Sequence, residues 1–452
     1  MSIFSSLSRQ QKEAVGLLQI GTFLEYFDLM LYVHMAVLLN ELFFPKTDPH
    51  TASLLMAFAF CSTYVLRPFG ALLFGWIGDN IGRKPTIVIT TMMMAISCII
   101  MASLPTYAEI GITAAWVVTI CRIMQGISSM GERIGAEIYV VEITKPPSQF
   151  PAVAFVSVSA ALGAVFSLII ASLASSMGFN WRIAFWVGAC IAVVGSVART
   201  RLRETPDFIN AKKRIKNSID TVSSDGILKT AQLLKVTNSK IKEKVSKKTG
   251  ICFMVMQIPW AVWFFFVYVY CGDILKRRFG FSSGQILFHN FLVSLFQLLN
   301  VLVACYLSRY INPLKILKIK FFALSSFILM VPYLLSRDIS SLGLFSIQLI
   351  FIFFAYDMVP ATPIFYKTIP VFKRFTYSTF TYAIARALAY VVTSFSFVYA
   401  TEFFSYFGLW FIMIPISLMY IWGLKHFEKL ENQKSHQQKS PSTVPGELKI
   451  AG

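Results

Sequence analysis

The apolar residues of this chain fall into long blocks separated by short polar turns. A helix needs about 20 mostly apolar residues to cross the ~30 Å hydrocarbon layer of a bilayer. Blocks of that length lie at approximately 14–39, 52–78, 86–104, 112–141, 150–174 and 182–200. After a polar gap they resume at approximately 250–271, 284–306, 316–335, 343–366, 376–399 and 405–424. The pattern predicts an all-α polytopic membrane protein, with twelve transmembrane helices in two six-helix pseudo-repeats.

Composition agrees, since 56% of the 452 residues are hydrophobic and only 14% are charged. A soluble chain of this size needs more charge to cover its surface. Net charge is +19, and its distribution gives the topology. Residues 201–250 hold thirteen Lys and Arg against five Asp and Glu. Basic residues recur at Arg83 and Lys84, at Lys315, Lys318 and Lys320, at Lys367, Lys373 and Arg374, and after Lys425. Loops 40–51, 104–111 and 175–181 are poor in them. The excess of cations on alternate loops predicts that both termini and the 201–250 segment are cytoplasmic. Lys276, Arg277 and Arg278 fall on the outside and run against the rule. Because the cations line a membrane face rather than one domain, no nucleic-acid partner is expected. The seven cysteines lie in or beside apolar blocks without a C-x-x-C pair, which suggests neither a disulfide framework nor a zinc site.

The expected organisation is a six-helix bundle over 1–200, a basic cytoplasmic linker over 201–249, a second bundle over 250–428 and a disordered tail over 429–452. A faint internal repeat sets Arg309 against Asp79, with the acid and the glycines of the first copy missing from the second.

The turn between the second and third blocks, Gly75 to Lys84, reads GWIGDNIGRK. Its spelling, G-x-x-x-D-x-x-G-R-K, resembles the loop signature of major facilitator transporters. Further segments resemble the metabolite:proton symporter family, to which proline/betaine, 2-oxoglutarate, citrate and shikimate carriers belong. They are Gly21 to Asp28 (GTFLEYFD), Arg67 to Gly70 (RPFG), Arg122 to Gly126 (RIMQG), Gly131 with Glu132, Trp181 to Trp186 (WRIAFW) and Arg203 to Phe208 (RETPDF). They come in the family's order and cover about the first 210 residues, whereas the second half matches mainly in hydropathy. The resemblance implies alternating access around a midplane cavity, in a bacterial inner membrane.

Ionisable residues inside a membrane are costly, by about 2.5–3.5 kcal/mol each on insertion scales, and so tend to face a cavity and to function. Glu25 and Asp28 lie three apart in the first span, with Tyr32 four further on, which puts the three on one helix face. Two neighbouring carboxylates in low dielectric resist joint ionisation, so the pair is a candidate proton carrier. The alternative is neutralisation by a nearby Arg. Glu132 matches the acid of the family's Gly-Gly-Glu motif, with Met130 at the first glycine, and is a third proton-coupling candidate. Arg133 replaces the family's usual aromatic residue, either to anchor a substrate carboxylate or to pair with Glu137. Arg122 resembles the arginine proposed to serve proton transfer, or else partners an acid of the first span.

Arg67 and Arg386 are candidates to counter a substrate carboxylate. Trp260 and Trp263, with Phe264, suggest a short aromatic stripe that would hold a quaternary ammonium by cation–π attraction, or interfacial anchors. Asp357 reads as a polar lining residue, in a tenth span whose Pro360 and Pro363 permit bending. His34 and His289 read as hydrogen-bonded packing residues.

The family's loop latches the two halves in the outward-open state. Here Asp79 would sit against the start of the eleventh span, near Phe375–Ser378, gaining about 0.3–2 kcal/mol from exposed N–H groups. Gly75, Gly78 and Gly82 would allow close approach, with Arg83 and Lys84 facing acids or headgroups.

The sequence thus reads as a monomeric secondary transporter that brings in a small zwitterionic or carboxylated metabolite together with a proton. No resident cofactor or metal is called for, and no enzyme motif appears. The rivals are a proton-independent facilitator or exchanger of organic anions and a non-transporting sensor or scaffold.

Overall fold

The computed structural model describes residues 7–45, 66–176, 180–224 and 245–439. The first half holds α1 (Arg9–Phe43), α2 (Arg67–Asn80), α3 (Arg83–Ser103), α4 (Ile112–Ile143), α5 (Gln149–Ser176) and α6 (Arg182–Arg199). The second holds α7 (Lys247–Phe279), α8 (Ser283–Leu307), α9 (Pro313–Ile328), α10 (Ser341–Phe354), α11 (Val371–Phe404) and α12 (Gly408–Lys439). Among the described residues, eight of these helices are long and apolar enough to cross a bilayer; they are α1, α3 to α8 and α12.

The other four have local reasons to fall short. The described helix of the second span, Arg67–Asn80, has 14 residues. A break after Ile328 splits α9, which resumes at Val331–Ser336. The segment with Asp357 and Pro360 interrupts the tenth span, which resumes at Thr362–Tyr366. Charged and hydroxyl residues dilute α11.

Local sequence sets the ends. Ser282 caps α8 reciprocally with Gln285, and Ser340 caps α10 through the amide of Gly343. Asn312 accepts the amide of Leu314 with Pro313 at the first position of α9. Gly280, at φ +65°, ends α7.

In the first half α1 packs on α5 and α3 on α6, while the halves meet where α2 packs on α11 and α5 on α8. The first half centres on Phe27, Phe43, Trp181 and Phe185, and the second on Phe253, Trp263, Phe351, Tyr356 and Tyr420. Large apolar side chains such as Trp76, Trp116, Phe403 and Phe411 point outward, which suits a lipid-facing surface rather than water.

Two expectations need revision, those for Lys320 and for 429–439, while the Lys276–Arg278 cluster and the linker gain detail. Lys320 belongs to no loop; it lies two turns into α9 and faces the interior cavity. The Lys276–Arg278 cluster ends α7, where Arg277 pairs with Asp273 at 2.8 Å and Arg278 with Asp338 at 2.9 Å. Local acids and a helix C-terminus stabilise those cations. Helix α12 runs through 429–439, where disorder was expected, because the Glu, Lys and Gln residues there favour helix and no Gly or Pro intervenes. Within 201–249, residues Pro206–Ser224 form a helix, while 225–244 lie outside the described residues, as do 440–452.

Candidate functional site

A cavity of about 560 Å³ lies between the halves. Tyr26 of α1, Arg67 of α2, Arg133 of α4 and the small face Ala160, Ala161 and Ala164 of α5 line it from the first half. Trp260, Phe264 and Tyr268 of α7, Asn290 and Asn300 of α8, Lys320 of α9, Asp357 after α10, and Tyr382 and Arg386 of α11 line it from the second.

Beyond one end of the cavity, the Gly75–Lys84 loop closes the two halves together. The Asp79 carboxylate accepts the amide of Phe375 at 3.0 Å and that of Thr376 at 2.8 Å. These amides lie in the second turn of α11, one turn further in than a helix N-terminus. Arg83 donates to the carbonyl of Val371 at 2.6 Å. Val371 C=O and Phe375 N–H are the i, i+4 pair of a regular helix, so the loop engages both ends of one helical hydrogen bond. The approach is close because Gly75 carries no side chain; a Cβ there would lie 2.6 Å from Cα of Thr376. Gly82 holds φ +150°, in the left-handed region, with Glu204 packed where a Cβ would point.

A buried ion network backs the loop. Glu142, at the end of α4, receives Arg83 at 3.0 Å and Arg374 of α11 at 2.9 Å, and Thr205 donates to it at 2.5 Å. Glu204 accepts the amides of Arg83 at 3.0 Å and Lys84 at 3.2 Å and so caps α3. Asp207 reaches Arg374 at 3.5 Å. The start of the linker thereby joins both halves. On the same face Lys367, beyond the spans, donates to Gln149 at 2.6 Å, and burial pushes its ammonium below the usual lysine range.

The acids of the first half separate into three environments. Asp28 meets Arg122 at 3.5 Å and Gln125 at 2.9 Å; Tyr32 stacks on that arginine, with its ring centre 3.8 Å from the guanidinium carbon. Tyr32 therefore does not line the cavity, and Glu25 and Asp28 do not form the shared pair expected from their spacing. Glu25 instead lies in the field of Arg67 and Arg133, with Oε2 making no hydrogen bond among the described residues. Glu132 is buried beside Arg199, with which it forms an ion pair, and its Oε1 accepts Thr90 at 2.8 Å and Thr91 at 2.6 Å. It too stands away from the cavity wall, because Arg199 at the end of α6 draws it to the far side of α4. Arg133 reaches the wall while pairing with Glu137 at 3.2 Å and donating to the Tyr26 hydroxyl.

In the second half the aromatic stripe divides. Trp260, Phe264 and Tyr268 follow i, i+4, i+8 along the cavity, whereas Trp263 is buried against Phe351 and Tyr356, at ring separations of 5.8 and 5.3 Å. Trp263 is a core residue because the i+3 position turns toward α10. His289 meets Gln348 at 2.6 Å; the side chain of His34 lies outside the described residues.

Sequence reasoning missed Glu142 and Arg199, and placed Arg374 and Lys320 only among the cytoplasmic cations. The RETPDF segment signalled Glu204, but the partners of the others lie far away in the chain. Among the described residues no cluster of three metal-ligating side chains occurs.

A family profile described as the Major Facilitator Superfamily matches residues 18–394. The inner membrane metabolite transport protein YhjE of Escherichia coli K12 is 33% identical over 230 residues, covering 48% of this chain and 52% of YhjE. The proline/betaine transporter of the same organism is 31% identical over 205 residues, covering 44% of this chain and 41% of the transporter. The chain spans about half the length of the curated relatives it matches. Among solved structures, the proton:xylose symporter XylE bound to 6-bromo-6-deoxy-D-glucose superposes with a TM-score of 0.73 at 16% identity, covering 93% of this chain and 95% of XylE. The human organic anion transporter MFSD10 gives 0.63 at 16% identity, covering 93% of this chain and all of that one. Both share its fold.

Proposed function

The chain belongs to the major facilitator superfamily, and from that premise we propose that it is a secondary transporter moving a small zwitterionic or carboxylated metabolite together with a proton. The observation that carries this reading is a cavity between two helix bundles, lined by ionisable side chains from both and backed by a network that ties the bundles at one end. Alternating access needs such a fixed midplane site and an interface that can break and reform. The relatives whose names refer to metabolite or proline/betaine transport support the substrate class.

Glu25 is the favoured proton site, because one of its oxygens has no hydrogen-bond donor among the described residues while those of Asp28 and Glu132 are engaged. In the closed state Asp79 and Arg83 latch α11; release of the latch opens the loop face. That face, both termini and the linker are assigned to the cytoplasm by their Lys and Arg content. We assign the protein, as a monomer, to a bacterial inner membrane. We divide the chain into a first bundle over 1–200, a linker over 201–249 and a second bundle over 250–428, although α7 begins at Lys247 and α12 continues to Lys439.

The test is uptake into proteoliposomes of proline, glycine betaine, 2-oxoglutarate, citrate and shikimate, after a thermal-shift screen of the same set. An imposed pH gradient should drive accumulation and a protonophore should abolish it. Uptake that ignores the gradient rejects proton coupling and favours the proton-independent anion carrier, a reading the four cavity-lining cations Arg67, Arg133, Lys320 and Arg386 also support.

A further inference from the structure

Two cations of the second half face the cavity without a carboxylate at ion-pair distance among the described residues. Among the described residues Lys320 makes one polar contact, from Nζ to Oδ1 of Asn300 at 3.3 Å, while the amide of Asn300 is spent on the carbonyl of Ile352 at 2.9 Å. Arg386 is 6% exposed, its Nε and Nη1 make no hydrogen bond among the described residues, and its guanidinium carbon lies 5.2 Å from the centre of the Tyr382 ring. Arg133, by contrast, is already engaged by Glu137 and Tyr26. Asp357 is the one carboxylate on the wall among the described residues, and it feels Lys320, Arg133 and Arg386 together.

An ammonium and a guanidinium held inside a membrane, sharing with Arg133 a single carboxylate beyond ion-pair distance, are expensive unless a solute neutralises them. A single lining acid set among four cations is a poor receptor for an ammonium group, whereas two open cations on different helices suit two separate carboxylates. We propose that Lys320 and Arg386 form the two poles of a site for a small dicarboxylate, one carboxylate at each, with Asn300 orienting the lysine. The apolar wall made by Ala160, Ala161, Ala164 and Phe264 covers the short carbon chain between them. The assignment rests on the metabolite-carrier reading and narrows it. Lys320 is the residue that sets charge preference, since it supplies the second pole.

Binding of 2-oxoglutarate, succinate, proline and glycine betaine to the full-length protein, by calorimetry, tests the proposal. The two dicarboxylates should bind and compete with each other, and proline should not displace them; this needs no variant. Lys320→Gln and Arg386→Gln should each weaken 2-oxoglutarate by about 10- to 100-fold, the range expected for losing one charge-assisted hydrogen bond. Lys320→Arg should retain most of the affinity, and Lys315→Gln, on the exposed face of α9, should bind as wild type. Proline or betaine binding without dicarboxylate binding overturns the site and leaves the carrier reading standing. Unchanged 2-oxoglutarate affinity in Lys320→Gln also overturns it. Failure of all solutes in both binding and uptake removes the carrier reading and this site with it.

Discussion

The carboxylate of Asp79 accepts the backbone amide of Thr376 at 2.8 Å, across 297 residues of sequence. Together with the Phe375 amide it makes a charge-assisted, buried contact between the halves, and Arg83 completes it from the carbonyl side. Such hydrogen bonds are worth about 1.5–3 kcal/mol each, enough for one side chain to set the balance between open and closed loop faces.

Replacing Asp79 by Asn preserves shape, removes the charge and puts an amide donor opposite an amide donor at one position. Uptake should fall by about tenfold or more, since 1.4 kcal/mol is a factor of ten, while membrane expression persists. Unchanged uptake at wild-type expression would reject the latch.

Gly75→Leu should have the same outcome by a different route, because its side chain must enter the space held by Thr376. The neighbouring Trp76, which is 58% exposed, should tolerate Leu without loss of uptake. Equal uptake in the two variants would contradict the close packing of α2 on α11.

The two tryptophans of α7 should separate stability from binding. Trp263→Ala empties a buried site and should cost about 3–5 kcal/mol of stability, seen as a lower Tm in detergent. Trp260→Ala should leave Tm nearly unchanged and weaken solute binding.

Glu25→Gln should retain solute counterflow and lose the response to an imposed pH gradient. Glu132→Gln should instead lower stability, because it leaves Arg199 buried without its counter-ion, a loss of about 3–5 kcal/mol. Gradient-driven uptake that survives in Glu25→Gln moves the proton site elsewhere.

Sequence alone determined the membrane architecture. Span length, cation bias and the glycine-bearing loop are local properties, fixed by the thickness of hydrocarbon and the steric freedom of residues such as Gly75 and Gly82. What tertiary structure decided was how charges combine. Glu25 and Asp28 share a helix, yet Arg122 from α4 takes the second and leaves the first to Arg67 and Arg133. Lys320 counted as a loop cation until α9 carried it to the cavity. Trp263 and Trp260 differ only in which neighbour their side of α7 meets. Side-chain electrostatics act across space over a few ångströms, and the partners that set them, Glu142 for Arg83 or Arg199 for Glu132, lie 59 and 67 residues away along the chain.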